Sequence, residues 1–248
     1  HHHFVHFARI FMLLLFLTVW ELFADFHIID SFFFSSPSRV VVCFVRMVSE
    51  RSLFTHIGIT LTETVISFFL VALVSLSAAT LLWYSRRLSE ILEPFLVVLN
   101  SLPKSALAPL LIVWLGTGMD TIIAAGISVA IFGAIINLYT GFLQADPEKL
   151  LLIRTLGGTR RDCFFKVVLP ASIPVILSNM KVNIGLSLVG VVIGEFLAAR
   201  RGLGYLIIYG SQVLQLDMLI TSILLLCIIA MGLYQLLQFA EHCYKKKV

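Results

Sequence analysis

Residues 146–170 read DPEKLLLIRTLGGTRRDCFFKVVLP, and they form the longest polar interval between the apolar stretches of this chain. Asp146 has the short acceptor side chain that is preferred at a helix N-cap, and Pro147 is typical of the first helical position. Gly157-Gly158 follows a short apolar run and predicts a helix end, because glycine adopts left-handed backbone conformations at little cost. The sequence therefore predicts a short capped helix that a glycine pair ends.

The second part of the Asp146–Pro170 segment predicts another helix. Thr159 and Asp162 match the Ser/Thr-x-x-acid capping pattern, and Pro170 is expected to close the segment. A bare connector needs only a few residues. Two interpretations remain open: a solvated loop that contacts anionic lipids, or a docking element for a cytoplasmic partner. The basic residues on which both depend are Lys149, Arg154, Arg160, Arg161 and Lys166.

Composition places the whole chain in a membrane. Of its 248 residues, 59% are hydrophobic and 13% are charged, and the mean hydropathy is +1.01. Soluble domains carry about 25% charged residues, so this chain has too few to keep a soluble surface wet. A span needs roughly 20 apolar residues. The chain has room for about six of them, which predicts an all-α, polytopic membrane protein.

The third predicted span is unusual because prolines interrupt it. We expect kinks at Pro94, Pro103 and Pro109, and the carbonyls freed there must face protein or water. Residues 39–51 predict a short interfacial helix, and residues 202–216 predict an interfacial or re-entrant piece. The six spans are predicted at residues 8–28, 56–83, 88–114, 119–143, 172–198 and 217–239.

Basic residues orient the predicted spans. If the N-terminus is cytoplasmic, the inside segments carry most of the lysines and arginines, including Arg86-Arg87, the Asp146–Pro170 segment and Lys245–Lys247. The outside segments carry fewer. The positive-inside rule therefore predicts that both termini and the Asp146–Pro170 segment are cytoplasmic.

A resemblance to a known family rests first on this segment. Gly157, nine residues and then Val167-Val168-Leu169-Pro170 resemble the second half of the EAA loop of ABC importer permeases. The first half departs from that loop, because Leu151-Leu152-Ile153 stand where Glu-Ala-Ala is expected. Glu148 lies one helical turn earlier and is the candidate replacement for the missing carboxylate.

Further motifs extend the resemblance over residues 50–245. In their order and spacing they are similar to the nitrate/sulfonate/taurine branch of binding-protein-dependent, MetI-like permeases. The resemblance implies a type I ABC importer permease bundle. It consists of a single transmembrane permease domain at residues 1–248 with a core at 50–245 and a cytoplasmic coupling loop at 144–170. The motifs are Ser101-Leu102-Pro103-Lys104, Ala108-Pro109-Leu110, Trp114-Leu115-Gly116, Glu195 and Gly202–Leu206.

The resemblance also implies a function. It predicts the membrane subunit of an ATP-driven importer in a prokaryotic cell membrane, forming the path for a small solute that an external binding protein delivers. Partners would be a cytoplasmic ABC ATPase, an extracellular or periplasmic binding protein, a second permease copy or similar permease, and lipids, but no nucleic acid. The chain has no Walker A lysine loop, so ATP and Mg would bind to the separate ATPase. We expect neither enzymatic activity nor a cofactor or metal on this chain.

Two sets of site residues follow. An ionisable group in hydrocarbon is costly and usually faces the interior of the bundle. The buried polar residues either line the path or pair with one another and with freed carbonyls, and for Lys104 the pairing is favoured. The ATPase-coupling candidates are Glu148, Arg154, Thr155, Leu156, Gly157, Gly158, Arg160 and Arg161. The candidates for a translocation path or gate are Glu63, Asn100, Lys104, Asn137, Lys181, Asn183 and Glu195.

Competing functions stay open on the residues alone. Glu63, Glu195, Lys104 and Lys181 are also compatible with an ion-coupled secondary transporter, although no inverted repeat is visible. The resemblance implies that the solute is a nitrate-, sulfonate- or taurine-like anion or a vitamin precursor. Gly190-x-x-x-Gly194 predicts close helix packing rather than a ligand site.

Overall fold

The structure, a computed structural model, describes residues 2–247. Within that range the chain forms α-helices and one short π-helical segment, and no strand, which confirms the all-α prediction. The α-helices are α1 (His2–Asp25), α2 (Ser31–Phe34), α3 (Pro37–Ser49), α4 (Ser52–Tyr84), α5 (Arg86–Ser101), α6 (Lys104–Leu115), α7 (Met119–Leu143), α8 (Pro147–Thr155), α9 (Arg160–Cys163), α10 (Leu169–Ala198), α11 (Leu203–Gln212) and α12 (Leu216–Lys247).

Membrane-spanning elements account for most of the described chain. Five helices are long and apolar enough to cross a bilayer: α1, α4, α7, the continuous helix Arg160–Ala198 and α12. Together, α5 and α6 also meet the length and hydropathy requirement, although they are bent by 98°. The described residues therefore contain five or six candidate spans, which agrees with the predicted number.

The third predicted span differs from a kinked helix. It breaks between α5 and α6, where Leu102 is extended with ψ 142° and Pro103 is the N-cap of α6. A proline disfavours helical backbone at the preceding residue, so the break falls at Leu102. Pro94 and Pro109 lie inside their helices and end neither.

The chain divides into two compact units. One unit comprises His1–Ile59 and Arg201–Ile228, and the other comprises Thr60–Arg200 and Ile229–Val248. Helices are present at both predicted short segments, α3 at 39–51 and α11 at 202–216, and their interfacial placement stays a prediction.

In the unit that contains α3, polar contacts join the helices. The two carboxylate oxygens of Glu21 accept hydrogen bonds from Ser38 Oγ at 2.8 Å and from Ser38 N at 3.0 Å. Asp217 accepts a hydrogen bond from Ser35 Oγ at 2.6 Å and lies 3.2 Å from Arg39 Nη2. These contacts connect α1 and α12 to the start of α3.

In the larger unit, α7 and α10 are the central pair. A Cβ atom at Gly190 would lie 2.6 Å from the carbonyl oxygen of Ala125, and one at Gly194 would lie 2.9 Å from the Cα of Ile122. Only glycine permits this approach, so the predicted packing role of the Gly190-x-x-x-Gly194 motif is confirmed within the subunit.

Candidate functional site

The Asp146–Pro170 segment begins as the sequence predicts. Asp146 is the N-cap of α8, and its Oδ1 accepts a hydrogen bond from the backbone N–H of Glu148 at 3.0 Å. Pro147 occupies the first helical position, where its missing N–H costs nothing. Glu148 is exposed in the first turn, where a carboxylate also interacts favourably with the helix dipole.

The glycine pair ends α8 in a Schellman motif. The N–H of Gly157 donates to the carbonyl of Arg154 at 3.0 Å, and the N–H of Gly158 donates to the carbonyl of Ile153 at 2.9 Å. Gly157 has φ +82°, a left-handed conformation that side chains disfavour. A Cβ at Gly158 would lie 2.7 Å from the carbonyl oxygen of Ile153. The turn therefore needs both glycines, the first for its conformation and the second for space.

The second helix begins at a reciprocal capping box. The Thr159 hydroxyl accepts a hydrogen bond from the N–H of Asp162 at 3.3 Å, and the Asp162 carboxylate accepts one from the N–H of Thr159 at 2.8 Å. Arg160 then reaches α4, where its Nη2 donates to the Trp83 carbonyl at 3.2 Å and its guanidinium lies 5.5 Å from the centre of the Trp83 ring.

An aromatic cluster connects this second helix to the spans. Phe164 is buried, and its ring centroid lies 5.3 Å from that of Trp83, 5.6 Å from that of Tyr84 and 5.4 Å from that of Phe142. These partners belong to α4 and α7. Packed aromatic rings resist displacement because interiors are close-packed, so the Asp146–Pro170 segment is fixed to both spans.

Pro170 does not close the segment, and that prediction is wrong. The chain stays helical from α9 through a π-helical turn, Phe164–Val168, and into α10. In the π-turn the N–H of Leu169 bonds to the carbonyl of Phe164, five residues earlier. Pro170 lacks an N–H and crowds the preceding turn, and a π-bulge is one way that a helix adapts. The second helix of the segment is therefore continuous with a membrane span.

The outer surface of α8 is apolar where water-exposed helices are usually polar. Leu151, Leu152 and Leu156 are 62%, 57% and 76% exposed, and we call these three residues the docking face. Thr155 lies between them, with its hydroxyl bonded to the carbonyls of Leu151 and Leu152 at 3.1 and 2.8 Å. Exposed apolar patches with polar neighbours are typical of protein interfaces. The basic residues around the docking face are exposed: Arg154, Arg160 and Arg161.

The predicted path residues Glu63 and Glu195 lie together. They are 2% and 0% exposed, and their carboxyl groups are hydrogen-bonded to each other. Thr60 Oγ1 donates to Glu195 Oε1 at 2.8 Å. The second oxygen of Glu63, Oε2, has no hydrogen-bond partner among residues 2–247.

Lys104 lies at the break between α5 and α6. Its ammonium donates to the carbonyl of Asn100, one turn earlier. The side chain of Asn100 faces α7, where a Cβ at Gly133 would lie 3.3 Å from Asn100 Oδ1. The contact agrees with the structural interpretation of Lys104, and its path role stays a prediction.

Lys181 is paired rather than free. Its Nζ lies 2.5 Å from Glu241 Oε2, and Glu241 also contacts Lys245 at 2.8 Å. The ammonium lies 5.9 Å from the centre of the Tyr234 ring. This cluster joins α10 to the end of α12.

Asn137 and Asn183 occupy different environments. Asn137 is exposed on α7 in an open groove between α7 and α10, whereas Asn183 is buried in α10. The structure thus brings Glu63 and Glu195 together but does not gather the predicted path residues into one site. Sequence reasoning missed Thr60 and Glu241, which partner the predicted charges. It also missed Leu151 and Leu152 as exposed residues, although both stand where the Glu-Ala-Ala of the EAA pattern is expected.

Known proteins similar to this chain agree on a family. A family model described as "Binding-protein-dependent transport system inner membrane component" matches residues 72–240. A probable ABC transporter permease protein of Haemophilus influenzae is 30% identical over 233 residues, covering 91% of each chain. The formylaminopyrimidine transport permease ThiX of Halalkalibacterium halodurans is 28% identical, covering 77% of this chain and 76% of ThiX. The taurine permease TauC of Escherichia coli is 26% identical, covering 86% of this chain and 80% of TauC.

Solved structures agree on the fold. An inward-facing MetNI methionine ABC transporter chain superposes with a TM-score of 0.66 at 20% identity, covering 79% of this chain and 95% of that chain. An amino acid ABC transporter chain gives a TM-score of 0.63 at 16% identity, covering 83% of this chain and 98% of that one. At these identities the likeness concerns the fold alone, and it confirms the predicted permease bundle.

Proposed function

Because this chain belongs to the family of binding-protein-dependent transport system inner membrane components, we propose that its Asp146–Pro170 segment docks on a separate ABC ATPase. Family membership makes the chain a permease subunit of a binding-protein-dependent ABC importer. Beyond family membership, we propose which surface transmits the movement of the ATPase to the spans and which class of solute the spans conduct.

One observation carries the proposal: the docking face lies on a rigid segment that continues into a span. Leu151 and Leu152 are exposed on α8 and Leu156 is exposed at its C-cap, outside the candidate spans, and exposed apolar clusters in such places are typical of partner surfaces. The Schellman turn fixes α8 against the helix that becomes α10, and Phe164 fixes that helix against α4 and α7. Displacement of the docking face is therefore transmitted to the spans.

The mechanism follows from this rigidity. ATP and Mg bind to the partner ATPases, and nucleotide binding brings the two ATPases together. Each ATPase moves the docked Asp146–Pro170 segment, and the spans alternate between outward and inward openings. A nucleotide changes the population of these states only through its different affinity for them. Leucines in place of Glu-Ala-Ala make the contact mainly apolar, with Glu148 and Arg154 at its rim.

The assembly that we propose contains two permeases, two ATPases inside and one solute-binding protein outside a prokaryotic cell membrane. Both termini and the docking face are then cytoplasmic, as the distribution of basic residues favours. The second permease is a copy of this chain or a similar one. Relatives named for taurine, aliphatic sulfonates, formylaminopyrimidine and riboflavin differ in solute. A sulfonate- or taurine-like anion or a vitamin precursor is the solute class that they support. We favour ATP-driven import over the ion-coupled alternative, because relatives of this chain are named ABC transporter permeases.

Copurification tests the docking face. The chain is expressed with the ATPase and permease genes of its own operon, extracted in mild detergent and captured by an affinity tag. Wild type is expected to retain the ATPase in stoichiometric amount, and Leu152→Asp with Leu156→Asp is expected to lose it. Tyr244→Asp is the matched control, because Tyr244 is 40% exposed and lies outside the docking face. Retention of the ATPase by the double variant would overturn the proposed docking.

A further inference from the structure

A histidine of α4 holds the start of α11. The N–H of Gly202, the N-cap residue of α11, donates a hydrogen bond to Nδ1 of His56 at 2.9 Å. The imidazole also faces the ring of Tyr205, with the ring centroids 6.3 Å apart and the planes 24° apart. All three residues belong to the same compact unit. We call the contacts of His56 with Gly202 and Tyr205 the histidine clasp.

The segment that the histidine clasp holds is packed rather than loose. Gly202 has φ +118°, a conformation that side chains disfavour, and Leu203 and Leu206 are 0% and 6% exposed. Gly202 and Gly204 are buried as well. The Gly202–Leu206 motif, on which part of the family resemblance rests, therefore forms the fixed start of α11.

The opposite end of α11 is held by backbone packing. The N–H of Gln215 donates to the carbonyl of Gly210 at 2.8 Å. A Cβ at Gly210 would lie 3.1 Å from the carbonyl oxygen of Gln215 and 3.2 Å from the backbone nitrogen of Leu219. These contacts contain no ionisable group. Of the two ends of α11, the end at the histidine clasp is therefore the one whose contacts can respond to pH.

The hydrogen bond of the histidine clasp requires one protonation state. A backbone N–H can only donate, so Nδ1 of His56 must accept, and a neutral imidazole accepts at one nitrogen while it carries its proton on the other. An imidazolium donates at both nitrogens and offers no acceptor to the N–H of Gly202. Protonation of His56 therefore removes the hydrogen bond.

The surroundings of His56 also disfavour a positive charge. Arg201, which directly precedes Gly202, acts on the ring with its own positive charge, and like charges in proximity repel. Tyr205 is the titratable residue of α11 that faces the ring, and it offers no carboxylate. On α4, the residues one turn away at positions 52, 53, 59 and 60 are uncharged. His56 is half-buried, so water can supply the proton.

We propose that His56 is a pH-sensitive positioning residue: its neutral ring holds the start of α11 on α4, and its protonation releases α11 and weakens the response of the importer to its binding protein. The second part rests on the proposed function, because the predicted topology places α11 on the outer side, where the binding protein delivers solute. Histidine changes charge between about pH 5 and pH 8. Release therefore accompanies acidification of the outer compartment.

Amide hydrogen exchange of the purified permease in nanodiscs tests the histidine clasp without any partner protein. Mass spectrometry follows residues 201–210 at about pH 8 and about pH 5.5, with labelling times corrected for the intrinsic pH dependence of exchange. His56→Gln keeps an acceptor without a titrating group, and His56→Phe keeps an aromatic ring without an acceptor. His242→Gln is the matched control, because His242 is exposed on α12, outside the histidine clasp.

The variants are expected to separate the role of the acceptor from that of the ring. Wild type and His242→Gln should exchange this segment about tenfold faster at the acidic pH, because the hydrogen bond is lost there. His56→Gln should stay protected at both pH values, and His56→Phe should exchange rapidly at both. Equal protection of wild type at both pH values, or a response of His56→Gln as large as that of wild type, would overturn the histidine clasp.

ATP hydrolysis stimulated by the binding protein tests the second part in the complete importer. The rate of His56→Gln divided by the wild-type rate cancels the pH dependence of the partner proteins. This ratio is expected to rise from about one near pH 8 to about three or more near pH 5.5, and a constant ratio would overturn the link to the binding protein. Failure of the proposed function is seen separately, because the ATPase then does not copurify, whereas the exchange experiment still reports on the histidine clasp.

Discussion

Nζ of Lys181 on α10 lies 2.5 Å from Oε2 of Glu241 on α12, so a charge in one span is neutralised by a charge near the end of another. Isolated charges in a span are unfavourable, and their partners make them tolerable. The contact gives Lys181 a structural explanation that does not require solute.

This pair predicts a charge-reversal rescue. Lys181→Glu and Glu241→Lys are each expected to lower the Tm of the detergent-purified protein by several degrees, because each places two like charges in contact. The double variant restores the opposite charges and is expected to recover most of the loss. Differential scanning fluorimetry measures the effect. Additive losses in the double variant would show that the two side chains do not stabilise each other.

The glycine turn predicts a coupling defect without a folding defect. Gly157 has φ +82°, and a side chain there costs about 1 kcal/mol or more. We expect Gly157→Asp to insert normally but to lose ATPase association and transport, because α8 is no longer held in place. Gly116→Asp is the matched control, since Gly116 has φ +80° outside the Asp146–Pro170 segment. Normal ATPase binding by Gly157→Asp, or an equal loss in Gly116→Asp, counts against the docking role.

Local chemistry explains why this segment was predictable from sequence. An N-cap, a glycine turn and a capping box depend on residues within a few positions of each other, so Asp146, Gly157 and Thr159 predict their own geometry. Spans are equally local, because hydropathy alone marks them. The identity of the fold came from the order of several motifs rather than from any single one.

The wrong prediction and the missed contacts concern features that tertiary packing, rather than local sequence, determines. Pro170 was expected to end a helix, but the π-turn before it lets the helix continue, and the chain on either side gives no local signal of that turn. Glu241 is distant in sequence from Lys181, so only the fold identifies it as the partner. The open groove between α7 and α10 likewise exists only when these helices lie side by side, so that Asn137 and Asn179 share a surface.

The Lys104 contact predicts a stability effect. Lys104→Met removes the donor to the Asn100 carbonyl and is expected to lower the free energy of unfolding by about 1 kcal/mol. Lys104→Arg keeps a donor of similar reach and should retain part of the free energy of unfolding that Lys104→Met loses. Thermal unfolding in detergent is the measurement, with transport assayed in parallel. An unchanged Tm with defective transport would assign Lys104 to the path instead.

The carboxyl pair Glu63 and Glu195 predicts a transport defect without a loss of stability, the opposite of the pattern expected for Lys104. Glu195→Gln preserves shape and the acceptor for Thr60 Oγ1, so expression and Tm should stay close to wild type. The ionisable carboxyl group next to Glu63 is lost, and we expect transport, or the stimulation of ATP hydrolysis by the binding protein, to change. Glu195→Ala is the comparison, because it removes the acceptor of the Thr60 hydroxyl and leaves a cavity at a fully buried position, and it should lower the Tm. Full activity of Glu195→Gln would make the pair purely structural.

Solute uptake into proteoliposomes that contain this permease, its ATPase and its binding protein tests whether ATP hydrolysis drives transport through this chain. The solute is the radiolabelled ligand that mass spectrometry identifies in the copurified binding protein. We expect uptake to require ATP on the side of the membrane that holds the ATPase and to stop when the ATPase is omitted. Uptake should continue when ionophores collapse the proton and sodium gradients. Uptake by the permease without the ATPase, or uptake that stops with the gradients while ATP is constant, would contradict this expectation.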